Sequence, residues 1–120
     1  MAYFQASIDE LGMGEQVTTF TASDFGRSLT SNGDGTDHGW GNHHMVMGGA
    51  VNGGDILGTI PRMSVEGPDA IRNGRVIPTL SASQYAASLL RWAGLNEGAL
   101  DAVLPDLGNF AERDLGLFNS

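Results

Sequence analysis

The stretch Ser31 to His43, SNGDGTDHGWGNH, constrains this chain more than any other part of it. Four of its thirteen residues are glycine, and only Trp40 is large and apolar. Glycine at this density opens positive φ to the backbone and works against a regular helix. The composition predicts a long polar loop with no secondary structure of its own. Loops of that kind are uncommon in compact domains unless they serve a site.

The segments on either side are more regular. Phe4, Ile8 and Leu11 recur at helical spacing and predict an opening helix, ended by Gly12 and Gly14. No capping residue precedes Tyr3, so the chain is expected to begin inside a domain: residues 1–120 read as one partial domain. The β-branched run Val17 to Ala22 predicts a buried strand, with Asp24 at its carboxyl end. Helix, apolar strand, then polar residues is an α/β signature, and open α/β sheets bind ligands at that end. His44 to Val51 predicts a second strand beside the first. Asn52-Gly53-Gly54 reads as a turn and Asp55 to Ile60 as a short returning strand. Residues 61–75 look irregular. Ser81 and Gln84 form a capping-box pattern for a helix running to about Ala93, with Tyr85, Leu89 and Trp92 on its apolar face. Asn96 caps a shorter helix through Val103, stopped by Pro105, and residues 106–120 form a docked tail.

Charge narrows the function. There are 14 acidic and 6 basic side chains, all six of them Arg, for a net charge of −8. Phosphate neutralisation needs clustered Lys and Arg, so nucleic acid is not an expected partner. The absence of cysteine excludes disulfides and thiolate metal sites. No apolar run approaches the roughly 18 residues of a membrane span, and no signal peptide is expected in these residues.

The residues with chemistry to offer are Asp24, Asp37, His38, His43 and His44. Carboxylate oxygen and imidazole nitrogen together suit zinc, manganese or iron, and a Gly-rich loop can fold separated ligands together. Asp37, beside His38, can orient a ligand rather than bind. The run from Asn32 to Asp37 hints at a calcium loop. It fails that template, with Asp37 at the sixth position and His43 at the twelfth. Ser81 is explained by capping and Trp92 by the core; Arg27 could bind an anion, although pairing with a carboxylate is the commoner fate of such a residue. Trp40 packs the loop down or lines a pocket.

These residues carry a resemblance. Thr21-Ala22-Ser23-Asp24-Phe25-Gly26-Arg27, Asn32-Gly33, and Gly35-Thr36-Asp37-His38-Gly39-Trp40-Gly41-Asn42-His43-His44 resemble the carboxyl-terminal part of domain-of-unknown-function family 1501. So do Ile77-Pro78-Thr79, Ser83 to Ala87, Leu90-Arg91-Trp92 and Leu104 to Phe110. Members of that family are mostly exported bacterial proteins using the twin-arginine route, and the family resembles the alkaline phosphatase and sulfatase superfamily. The resemblance implies the carboxyl-terminal part of an alkaline-phosphatase-like α/β fold and a periplasmic or exported location. It implies Asp24 and His38 as metal ligands, with Asp37 and His43 as supporting or alternative ligands to a divalent metal such as zinc or manganese. The superfamily's Asp-His pair is broken here, because Phe25 stands at the second position. The superfamily's nucleophile and first metal carboxylate lie upstream of the matching segment.

The expectation is therefore a fragment of a metal-dependent hydrolase of phosphate or sulfate esters, inactive alone. The rest of the parent domain is its partner and a small ester its substrate. The alternative is a non-catalytic binding or assembly protein that keeps the fold.

Overall fold

The computed structural model describes residues 1–119. In chain order the elements are α1 (Ala2–Glu10), a 3-10 turn (Gly14–Gln16), β1 (Thr19–Phe20), β2 (Gly26–Ser31), β3 (Thr36–Gly39) and β4 (Val46–Met47). They continue with β5 (Ala70–Ile71), β6 (Arg75–Val76), α2 (Ala82–Trp92), α3 (Glu97–Val103) and a second 3-10 turn (Pro105–Asn109). The architecture is mixed helix and strand. The strands form three two-stranded antiparallel pairs, β1 with β4, β2 with β3, and β5 with β6. The chain divides into two compact units, residues 1–20, 45–57 and 80–120 in one and residues 21–44 and 58–79 in the other.

In the first unit, α1 ends where Gly12 turns into the left-handed region at φ +69°. None of its residues is buried, and Tyr3, Phe4 and Leu11 are exposed. Thr19 pairs with Met47 and Phe20 with Val46, as the two apolar runs predict. Both strands are shorter than their runs, and neither is fully buried. Gly48 accounts for part of this. A side chain there would meet the Val17 carbonyl at 2.7 Å, so the approach is tighter than an ordinary strand allows. Asp55 to Ile60 carries no strand.

The core of this unit is Ala87, Leu100 and Leu107, with Leu90, Leu95 and Leu104 packed around it. Both helix starts follow the sequence. Ser81 Oγ accepts from the Ser83 N–H, Gln84 Oε1 accepts from the Ser81 N–H, and Asn96 Oδ1 accepts from the Ala99 N–H. The buried face of α2 is not the expected one. Gln84, Ala87 and Ser88 are buried, whereas Trp92 is about a third exposed and stacks on Phe118 with ring centroids 5.3 Å apart. The docked tail is the cause. Gln84 Nε2 donates to the Glu112 carbonyl at 2.7 Å, and Ser88 Oγ accepts the Leu115 N–H at 2.8 Å. The tail then reaches residues 50–52. Val51 bridges Phe118, and Asn52 Nδ2 donates to the carbonyls of Gly116 and Phe118.

In the second unit, the stretch expected to be an irregular loop is a hairpin. Gly26 pairs with Gly39, Arg27 with His38 and Ser31 with Thr36, with a register shift between Arg27 and Ser31. Only residues 32–35 form the turn, where Gly33 and Gly35 take positive φ. The glycines that argue against regular structure are what permits it. A side chain at Gly26 would lie 2.0 Å from the Gly41 carbonyl oxygen, and one at Gly41 would lie 2.9 Å from that of Val76. Three backbones therefore pass at distances that only glycine allows. The other edge of β2 is met by the β5–β6 turn, where the Leu29 and Thr30 N–H groups donate to the carbonyls of Gly74 and Asn73.

Candidate functional site

Asp24 lies in the link that runs into β2, four residues past the end of β1, rather than at a strand's carboxyl end. The link is held by its own polar groups. Ser23 Oγ donates to the Phe25 carbonyl at 2.9 Å, and Asn42 Nδ2 donates to the same oxygen at 3.2 Å. Asp24, Phe25, His38, Gly39 and Trp40 line one open pocket of about 290 Å³. The two side chains from which the resemblance expects metal binding thus share a pocket, and Trp40, 56% exposed, stands beside them.

The Phe25 and His38 rings are stacked, with centroids 3.6 Å apart and planes inclined by 13°. The guanidinium of Arg27 lies 5.0 Å from the centre of the same Phe25 ring, and its Nη1 donates to the Thr36 carbonyl at 2.7 Å. Arg27 and His38 are directly paired across the hairpin, which puts both side chains on one face. Arg27 therefore serves the hairpin through a ring and a carbonyl, where a carboxylate pair was expected.

Asp37 precedes His38 on β3, and successive strand side chains point to opposite faces. Its carboxylate accepts from Asn32 Nδ2 at 2.8 Å and pairs with Arg75 at 3.4 Å, while its N–H donates to the buried Ser28 hydroxyl. Arg75 also donates through Nε to the His38 carbonyl at 2.9 Å. Asp37 is therefore bound into the hairpin. His43 is exposed and does not line the pocket, and His44 Nδ1 is 3.2 Å from Thr21 Oγ1. Among the described residues, no three His, Asp or Glu side chains come together as a group able to hold a metal.

Arg75 and Asn42 were missed in the sequence. Arg75 sits in a stretch read as irregular, and its signal was its place between the turn dipeptide Asn73-Gly74 and the β-branched Val76. Asn42 carries no sequence signal of its own partner, the carbonyl of a residue seventeen positions away.

This segment has a family. The family model described as "Protein of unknown function (DUF1501)" matches residues 1–91, and the chain belongs to that family. Comparisons with curated proteins and with solved structures return no match.

Proposed function

We propose that the chain contributes Asp24 and His38 to a divalent-metal centre in an exported, alkaline-phosphatase-like protein that hydrolyses phosphate or sulfate esters. The observation that carries this reading is the pocket lined by both residues. The reaction class and the exported location rest on the resemblance, which is analogy between folds. Among the described residues no helix is long and apolar enough to cross a membrane.

The donor chemistry fits as a partial set. One carboxylate and one imidazole suit zinc or manganese, and a catalytic zinc site takes three protein ligands. Further ligands would therefore come from the parent protein. A bound cation would polarise the ester oxygen and stabilise charge on the transferring group. The other residues position these two. Phe25 fixes the His38 ring plane by stacking, Arg75 holds β3 through the His38 carbonyl and Asp37, and Asn42 with Ser23 holds the backbone at Phe25.

Equilibrium dialysis against zinc or manganese tests the reading. Asp24→Asn and His38→Ala should each lower binding about tenfold or more, in line with the loss of a ligand or its direct support. Asp37→Asn should lower it less. Equal binding by wild type and both ligand variants would remove the metal assignment. The non-catalytic reading would then lead, and one feature already favours it: Phe25 occupies the position where the resemblance calls for a second histidine, and it covers one face of His38.

A further inference from the structure

We propose that Asn73 is the residue at which this protein deamidates, well ahead of its two other Asn-Gly pairs. The sequence holds three such pairs, Asn32-Gly33, Asn52-Gly53 and Asn73-Gly74. Glycine after asparagine puts no side chain in the way of the attacking backbone nitrogen, so sequence alone ranks the three equally. The fold does not.

Reaction requires the asparagine side chain to swing onto the next residue's nitrogen. Asn32 is held at both ends of its amide. Its Oδ1 accepts the Asp34 N–H at 3.0 Å and its Nδ2 donates to Asp37 at 2.8 Å. Asn52 is held by two bonds from Nδ2, to the Gly116 and Phe118 carbonyls at 3.0 and 3.1 Å. Asn73 is exposed, and among the described residues its side-chain amide has no hydrogen-bond partner. It also sits in a strained turn. Arg72 and Asn73 both have positive φ, at 32° and 62°, a region that Arg occupies unwillingly. Swinging the Asn73 amide onto Gly74 starts from a strained backbone and breaks no side-chain bond, the turn being held only through its main-chain carbonyls, whereas the other two asparagines must first give up anchored side chains.

The Gly74 nitrogen loses its proton and bonds to Cγ of Asn73, and the Cγ–Nδ2 bond breaks to release ammonia. Water then opens the succinimide. Attack at Cγ gives aspartate, and attack at the main-chain carbonyl carbon gives isoaspartate. Isoaspartate adds one carbon to the main chain inside a tight turn. The Asn73 and Gly74 carbonyls that accept from Thr30 and Leu29 would be displaced. Arg75, next in the chain, would lose its fixed reach to His38 and Asp37.

The test incubates the folded chain in mildly alkaline buffer and follows the three Asp-N peptides that carry Asn32, Asn52 and Asn73 by mass spectrometry, with enzymatic methylation to mark isoaspartate. Asn73 should convert about tenfold faster than Asn32 or Asn52, the factor set by side-chain hydrogen bonds that must first break. In concentrated urea the three rates should converge. If Asn32 or Asn52 converts as fast as Asn73 in the folded chain, the proposal fails. It fails too if Asn73 leads by the same margin in urea, since the preference would then owe nothing to the fold.

Discussion

Gly26 shows how much one residue can decide. A side chain there would stand 2.0 Å from the Gly41 carbonyl oxygen, and the nearest atoms are all backbone of Gly41 and Asn42, which cannot turn aside as a flexible side chain can. Gly26→Ala should therefore destabilise by about 3 kcal/mol, the upper part of the range for overpacking. Thermal melting would show it, with Gly33→Ala as a contrast that introduces no clash but forces a positive φ. Glu97 is a second residue with a definite consequence. The hydrogen bond from Arg91 holds its carboxyl below the ordinary range, helped by the charges of Arg91 and Arg113. A carboxylate whose folded pKa lies below its unfolded one adds stability above the unfolded value, about 4.3 for Glu. That stability is lost as pH falls through the folded pKa. Wild type should thus exceed Glu97→Gln in urea midpoint near neutral pH, and the two should converge in acid. A constant gap across the range would show that the effect is not ionic.

Among the elements, α2 was the most legible. Its cap is a local pattern, and local patterns survive whatever the rest of the chain does. Ser81→Ala should cost about 1 kcal/mol by removing the acceptor for the Ser83 N–H, measured by chemical denaturation. Its packing face was not legible, because periodicity counts apolar residues and the tail docks on polar ones. Gln84 and Ser88 are buried to satisfy backbone groups of Glu112 and Leu115, and those partners lie nearly thirty positions away. The β2–β3 hairpin was misread for a related reason. Glycine density argues for irregular backbone one residue at a time, yet here the close approach of Gly26, Gly39 and Gly41 to neighbouring strands is what the sheet needs. The candidate site was legible in part. Asp24 and His38 do share a pocket, while Asp37, one residue from His38, is drawn to the far face by the pleat and bound by Arg75 and Asn32.

For the molecule as a whole, the family match and the folded unit end at different places. The match stops at Arg91. Of the three residues that make the core beside α2, only Ala87 lies within it; Leu100 and Leu107 lie beyond. The segment from Gly116 to Asn119 is stitched to Ala50, Val51 and Asn52 through backbone and side-chain bonds. A chain cut after Arg91 would keep the whole segment that the family model matches. It would also keep Asp24, His38 and the hairpin. It would lose Trp92 at the end of α2, all of α3 and the tail that covers Gln84 and Ser88, leaving those polar groups and Ala87 facing water. Such a chain should lose its cooperative melting transition and most of its helical circular dichroism, and a full transition retained by residues 1–91 would refute this. Where the boundary of a sequence family is taken as the boundary for expression or for crystallisation, the piece obtained here would be recognisable and unfolded.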